Sequence, residues 1–277
     1  MTGVKVHKGQ AGLPSADSTH SIWHREPSET LLGHRTTAGL PHDADVVVIG
    51  SGITGAFASR ELVGAGRSVL MLEAREACWG ATGRNGGHCQ PGVWNNTPTV
   101  ARFELATFDM LNRLRVDNDI PCEWQTVGGV HPLLTEAELG AARRQMRRLE
   151  KCPDLRDKAV LMLDEAELAE HRVPNALGAV YQPVAAKLWP YKLVAWVLEQ
   201  LLAAKGRRRF NLQTGTPALH LQRAGPRWIV HTERGQVAAR HVVLAANAYT
   251  SFLMPRMTGL VMTGALIAYI SSKHHHP

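Results

Sequence analysis

A short apolar run followed at once by three regularly spaced glycines constrains this 277-residue chain more than any other feature. Residues 46–49 (VVVI) are β-branched and uncharged, which is typical of a strand buried on both faces of a parallel sheet. Gly50, Gly52 and Gly55 then fit G-x-G-x-x-G. The first glycine permits a tight turn, the second lets backbone approach a pyrophosphate, and the third lets a helix pack closely on the strand. The pattern predicts a dinucleotide-binding turn.

The segment after the glycines completes this unit. Residues 53–64 are predicted to form a helix whose N-terminus, with its unpaired N–H groups, suits a phosphate. Residues 68–72 are predicted to form a second strand, and Glu73 ends it about 20 residues beyond the glycines, where a carboxylate that binds a ribose hydroxyl is expected. A carboxylate repels a 2′-phosphate, so the residues favour NAD or FAD. The alternative is an ordinary strand–helix–strand crossover without a ligand.

The loop after Glu73 carries the clearest resemblance to a known family. Residues 77–92 (ACWGATGRNGGHCQPG) are rich in glycine and have no helical or strand period, which predicts a loop that approaches a ligand or, alternatively, a merely flexible loop. In this position the segment resembles the flavin-contacting segment of the D-amino-acid oxidase-like FAD oxidoreductases. The string GATGRNGG is most similar to gamma-glutamylputrescine oxidoreductases and related amine-oxidising members. The resemblance implies FAD as the cofactor.

The resemblance also implies a fold. It is an α/β fold, with a Rossmann-like FAD-binding domain and an inserted, incomplete α+β substrate domain. The expected division is an N-terminal arm over 1–43, an FAD-binding domain over 44–97 and 205–258, a partial substrate domain over 98–204, and a divergent tail over 259–277.

Contacts to FAD are expected from the glycine turn, from the segment at Glu73, from the glycine-rich loop and from two later positions. These residues are Gly50, Ser51, Gly52, Ile53, Thr54, Gly55, Glu73, Ala74, Arg75, Ala81, Thr82, Gly83, Arg84, Asn85, Gly86, Gly87, Ala218, Ala246 and Asn247. Some relatives attach FAD through a histidine or cysteine. Neither His88 nor Cys89 aligns with such a residue, so the resemblance implies noncovalent binding.

The candidates for catalysis are Arg84, Asn85 and His88, which the resemblance places beside the flavin. Arg84 would counter negative charge on the reduced flavin. His88 would accept a proton near neutral pH. The alternatives are that Arg84 only binds phosphate and that His88 is an ordinary loop residue.

Apolar spacing predicts the remaining elements. Helices are expected over 98–118, 136–151, 164–171 and within 185–202, and strands over 121–124, 127–133, 177–181, 210–213, 217–222, 228–232 and 237–247. The first of these helices is expected to be amphipathic, with apolar positions at Val100, Phe103, Leu105, Ala106, Met110, Leu111 and Leu114. Trp189, Tyr191 and Lys192 are expected either to face substrate or to be core aromatics and a solvated lysine.

The implied function is oxidation of the C–N bond of an amine or amino acid by hydride transfer to flavin N5, followed by hydrolysis of the imine. The partners are then a small amine or amino-acid substrate and O2 or another electron acceptor. The resemblance covers roughly residues 20–260 and part of a typical member, so we expect a C-terminally truncated chain. The alternative is a catalytically inactive FAD- or ADP-binding fragment. An NAD-linked dehydrogenase is a third possibility.

Composition argues against several other classes. The net charge of +7 is moderate and the basic runs lack interleaved aromatics, so we expect no nucleic-acid partner. Residues 1–12 lack an apolar signal core, and the apolar run 259–270 is too short to span a bilayer, so no membrane partner is expected. Four cysteines without zinc spacing indicate reduced thiols and no metal. We expect a cytoplasmic protein, with a peroxisomal address possible at a missing C-terminus.

Overall fold

The computed structural model describes residues 7–15, 17–204 and 209–261. The chain divides into two compact units, a first unit of Met1–Gly86 with Pro190–Pro277 and an inserted unit of Gly87–Trp189. These boundaries differ from the expected ones at 97/98 and 204/205. Helix Pro190–Ala203 packs on helix Ile53–Gly64 and therefore belongs to the first unit. The part of the expected tail that follows position 261 lies outside the described residues.

The described strands and helices have the following bounds. The strands are β1 (Asp43–Ile49), β2 (Val69–Leu72), β3 (His88–Cys89), β4 (Gln125–Thr126), β5 (Gly129–Leu133), β6 (Val160–Met162), β7 (Gly178–Gln182), β8 (Ala186–Lys187), β9 (Phe210–Gln213), β10 (His220–Ala224), β11 (Arg227–Thr232) and β12 (Gly235–Leu244). The helices are α1 (Ile53–Gly64), α2 (Pro98–Asp117), α3 (Glu136–Leu149), α4 (Glu165–Glu170), α5 (Pro190–Ala203) and α6 (Thr250–Leu253).

A six-stranded sheet in the order β10-β11-β12-β1-β2-β9 forms the centre of the first unit. β12, β1, β2 and β9 are parallel, and β10, β11 and β12 form an antiparallel meander. Val47 lies between Leu70 on one side and Val242 on the other, and its side chain is fully buried. The central position of β1 explains its uncharged β-branched sequence. The predicted α/β fold is confirmed.

The parallel pairing brings three strand ends to one edge of this sheet. Ile49 lies opposite Leu72 on β2 and opposite Leu244 on β12. The chain leaves each of these strands at the same edge, so the glycine turn, Glu73 and the segment after β12 come together there. This is the edge at which open α/β sheets bind their ligands.

α1 approaches this edge closely because of Gly55. A Cβ atom at Gly55 would lie 1.9 Å from the carbonyl oxygen of Gly50, which no side chain tolerates. α5 covers α1 with an apolar surface. The structure supports the core alternative for the aromatic residues near α5, because Trp189 and Tyr191 are buried. Lys192 forms an ion pair with Glu26, with an Nζ–Oε2 distance of 2.6 Å.

The inserted unit contains two small antiparallel sheets, in the orders β5-β7-β6 and β3-β8-β4. α3 begins where Thr135 and Glu138 form a capping box, each side chain accepting a hydrogen bond from the other's backbone N–H. Leu139 and Leu149 of α3 are buried against Val180 of β7 in the core of this unit.

One expected strand of the inserted unit does not form, and α2 buries only some of its predicted apolar positions. Residues 121–124 form no strand, because Glu123 adopts a positive φ of 53° that breaks extended backbone. In α2 the inward stripe follows Ala101, Phe108, Leu111 and Leu114. Residues on the other faces are therefore exposed, including three of the predicted apolar positions, Val100, Phe103 and Met110.

The described residues contain no helix long and apolar enough to cross a bilayer. Within the same ranges, no group of three or more histidine, cysteine or acidic side chains is arranged to hold a metal ion. The four cysteines are free thiols.

Candidate functional site

The glycine turn is held in a shape that requires glycine. Gly50 has a φ of +107°, and a Cβ atom there would lie 2.5 Å from the carbonyl oxygen of Ala245. A Cβ atom on Gly52 would lie 3.0 Å from Thr82 Oγ1. That hydroxyl accepts a hydrogen bond of 2.9 Å from the N–H of Ile53 at the start of α1. Backbone of the turn and of the loop near Thr82 is thus close enough to contact one ligand.

The carboxylate of Glu73 ties the turn to the end of β2. Its Oε2 accepts hydrogen bonds from Ser51, at 3.0 Å from the backbone N–H and 2.6 Å from the hydroxyl. Its Oε1 accepts one of 2.9 Å from the N–H of Arg75. Cys78 N–H donates in turn to the Ser51 hydroxyl at 2.9 Å. A carboxylate has about four lone-pair sites, so one acceptor position remains beyond these three bonds.

These groups border one cavity of about 270 Å³ within the first unit. The predicted contact residues that line it are Gly50, Ser51, Gly52, Ile53, Thr54, Glu73, Ala74, Arg75, Ala81, Thr82, Ala218, Ala246 and Asn247. The lining residues that were not among the predicted contacts are Gly12, Leu13, Pro14, Ile49, Leu72, Gly80, Pro217, Ala245, Ala248, Tyr249, Phe252 and Leu253. Six of these twelve adjoin predicted positions in the chain, whereas residues 12–14 come from the arm and no motif indicated them.

The other predicted contact residues do not line this cavity. They are Gly55, Gly83, Arg84, Asn85, Gly86 and Gly87. Gly55 instead permits the packing of α1. Gly83 permits a fold of the loop upon itself, because a Cβ atom there would lie 2.2 Å from the carbonyl oxygen of Cys78. Gly87 belongs to the inserted unit.

The loop contains more regular structure than its composition indicates. Ala81–Arg84 form a 3₁₀ turn. Cys78 adopts a φ of 61°, which is unusual for a residue with a side chain. His88 and Cys89 form β3 in the inserted unit, where His88 is exposed and lies opposite Lys187 of β8.

The guanidinium of Arg84 is engaged with the N-terminal arm. It donates hydrogen bonds of 2.8 Å to the hydroxyls of Ser18 and Thr19 and one of 2.9 Å to the carbonyl oxygen of Trp79. Burial lowers the pKa of Arg84, and the charge of Arg75 lowers it further. The side-chain amide of Asn85 donates to the carbonyl oxygen of Thr82 at 2.8 Å. Direct contacts of Arg84, Asn85 and His88 with flavin or substrate stay predictions.

A buried histidine, which no sequence motif indicated, packs against the glycine-rich loop. His24 is 4% exposed and stacks on Trp79, with ring centroids 4.7 Å apart and an interplanar angle of 11°. Burial is the main reason that the pKa of His24 falls from 6.5 to about 4, and the nearby charges of Arg84, His20 and Arg75 add to this. His24 is therefore neutral at pH 7.

The sequence profile of the DAO family, described as FAD dependent oxidoreductase, matches residues 45–274. The chain belongs to this family. Membership decides between the NAD and FAD alternatives and confirms FAD as the cofactor. The D-amino-acid oxidase-like resemblance seen in the sequence is likewise confirmed.

Two curated relatives are similar to the chain over most of its length. Gamma-glutamylputrescine oxidoreductase from Escherichia coli (strain K12) is 26% identical over 221 residues, which cover 74% of this chain and 49% of the relative. Probable oxidoreductase OrdL from Rhizobium meliloti (strain 1021) is 27% identical over 255 residues, covering 84% of this chain and 56% of the relative. The chain thus spans about half the length of these relatives.

Solved structures share the fold. L-amino acid deaminase from Proteus myxofaciens, in complex with anthranilate, superposes with a TM-score of 0.67 at 22% identity, over 85% of this chain and 52% of that chain. Glycine oxidase from Geobacillus kaustophilus superposes with a TM-score of 0.65 at 22% identity, over 78% of this chain and 59% of that chain.

We predict that Gly52→Val weakens FAD binding roughly 10- to 100-fold while the chain still folds. The backbone at Gly52 is extended, with φ −69° and ψ −175°, and therefore accepts valine, but the added side chain would crowd Thr82 and enter the cavity. The measurement is a titration of FAD followed by flavin fluorescence. Gly64→Val is the matched control, because a Cβ atom at Gly64 meets nothing within 4 Å. Equal affinity of both variants for FAD would contradict the placement of the cofactor.

We also predict a pH-dependent loss of stability from His24. The unfolded chain takes up a proton near pH 6.5, whereas native His24 resists protonation down to about pH 4, so its contribution to stability falls as pH decreases through this window. Between pH 7 and pH 5 the unaltered chain should lose about 2 kcal/mol more unfolding free energy than His24→Gln. Urea unfolding at both pH values measures this. Exposed His42→Gln is the control and should behave like the unaltered chain.

Proposed function

We propose that this chain binds FAD noncovalently in the cavity of the first unit and takes part in oxidation of an amine or amino acid. One observation carries the proposal. The close-approach backbone at Gly52, the N-terminus of α1 and the carboxylate of Glu73 border a single cavity. These three features are those that bind the pyrophosphate and ribose of a dinucleotide.

The residues present fit FAD chemically. Gly50 and Gly52 line the cavity and carry no side chain, so their backbone can approach a pyrophosphate. First-turn N–H groups of a helix lack intrahelical partners and favour an anion. At the start of α1, the N–H of Ile53 donates a hydrogen bond to the hydroxyl of Thr82. Glu73 retains one acceptor position for a ribose hydroxyl.

Noncovalent binding is supported by the state of Cys89, the cysteine considered above for attachment. Burial raises the pKa of Cys89 to about 11, so this thiol is protonated at neutral pH. A thiol attacks as the thiolate, and little thiolate is present under these conditions.

When bound, FAD supplies the hydride acceptor of the reaction. The substrate loses a hydride equivalent from the carbon beside nitrogen together with a proton, which leaves an imine, and water converts the imine to a carbonyl compound and a free amine or ammonia. The chain must hold the cofactor rigidly and provide a group for the proton. We propose His88 as the proton acceptor and Arg84 and Asn85 as residues that fix the loop beside the cofactor. Arg84 does this through its hydrogen bonds to Ser18, Thr19 and Trp79.

We expect bound flavin to bleach when the FAD-loaded chain is mixed anaerobically with a panel of primary and secondary amines and amino acids. Anaerobic bleaching tests the oxidation step without requiring knowledge of the electron acceptor. A quaternary ammonium analogue of each bleaching compound is the control, because its nitrogen has no lone pair with which to form the imine. Bleaching by the amine and not by its analogue is the expected result.

The second candidate function is that of an FAD- or ADP-binding fragment without oxidase activity. It is favoured by the chain's span of about half the length of its curated relatives, while the cavity is formed by the first unit alone. Flavin that stays bound and oxidised with every compound of the panel would support this candidate and contradict the enzymatic one.

A further inference from the structure

One end of the N-terminal arm is fastened to the segment after β12. The side-chain amide of Gln10 donates hydrogen bonds to the carbonyl oxygens of Ser251, at 2.9 Å, and Phe252, at 3.3 Å. The N–H of Ala11 donates to the hydroxyl of Ser251 at 2.9 Å. Ser251 is fully buried. We call these three hydrogen bonds the Gln10 latch.

The arm is fastened a second time, to the glycine-rich loop. The hydroxyl of Ser18 accepts hydrogen bonds from Arg84, at 2.8 Å, and Arg75, at 3.4 Å. The hydroxyl of Ser21 donates to the carbonyl oxygen of Gly83 at 2.5 Å. His24 then stacks on Trp79 of the same loop. Because charged donors form the stronger hydrogen bonds, this second attachment is firmer than the Gln10 latch.

Between the two attachments the arm contributes to the wall of the cavity. Gly12, Leu13 and Pro14 line it and belong to no helix or strand. Leu13 remains 40% exposed, as expected of a cover at the surface rather than a core residue. Both attachments also reach the wall directly, because Phe252 and Arg75 line the same cavity.

We propose that residues 10–14 form a strap that retains FAD, and that Gln10 is the positioning residue that fastens its N-terminal end, while the arm is held again at Ser18 and Ser21. This inference rests on the proposed function. Because residues 12–14 are part of the cavity wall, FAD bound in the cavity would lie against the strap, and displacement of the strap would open this side of the site. The strap lacks regular structure, and its weaker end is the Gln10 latch. FAD should therefore enter and leave when this latch opens.

The test measures the rate at which FAD leaves the loaded chain, followed as the rise of flavin fluorescence after dilution. Gln10→Ala removes two hydrogen bonds of the latch and should release FAD roughly five- to tenfold faster. Ser15→Ala is the matched control. Among the described residues, the Ser15 hydroxyl donates to the carbonyl oxygen of Asp17 within the arm and not to the cavity wall, so the Ser15→Ala release rate should equal that of the unaltered chain.

A second measurement uses the unaltered chain and does not depend on the folding of a variant. Bound FAD should slow hydrogen exchange at the N–H groups of Ala11, Gly12 and Leu13. Unchanged exchange in this segment, or equal release from Gln10→Ala and the unaltered chain, would overturn the strap and leave the proposed function intact. Failure of the unaltered chain to retain any FAD would instead refute the proposed function, and the strap with it.

Discussion

The hydrogen bonds from Ser51 to the carboxylate of Glu73 hold the site together. They join the turn after β1 to the end of β2, at 3.0 Å from the backbone N–H and 2.6 Å from the hydroxyl. The parallel register of β1 and β2 brings these two segments to the same edge. Without this link, the glycine turn, the N-terminus of α1 and the acceptor for a ribose hydroxyl would have no fixed mutual geometry.

A second layer of the site is built from segments distant in the chain. The arm reaches the segment after β12 through Gln10 and the glycine-rich loop through Ser18 and Ser21. The loop itself bends sharply at Cys78 and Gly83. The arm therefore contributes to the cofactor site as well as to the surface. Arg84, which was expected beside the flavin, holds the arm through hydrogen bonds to Ser18 and Thr19.

The sequence was informative where a residue's role is local. The run VVVI, the spacing of Gly50, Gly52 and Gly55, and the position of Glu73 are dictated by a buried parallel strand and a close-approach turn, and the structure places them accordingly. It was uninformative where contacts join remote segments. Gln10 and Ser251 are 241 positions apart, and the burial of His24 depends on a loop more than fifty residues later. Such pairings leave no periodicity or spacing in the chain.

The most direct test of the account is a visible absorbance spectrum of the purified chain after addition of FAD and removal of unbound cofactor by desalting. The account predicts persistent bands of oxidised flavin at about one FAD per chain, because the glycine turn, the N-terminus of α1 and Glu73 line one cavity of the first unit. A folded but colourless protein would contradict it, since the turn and carboxylate would then be present without the ligand they are argued to bind.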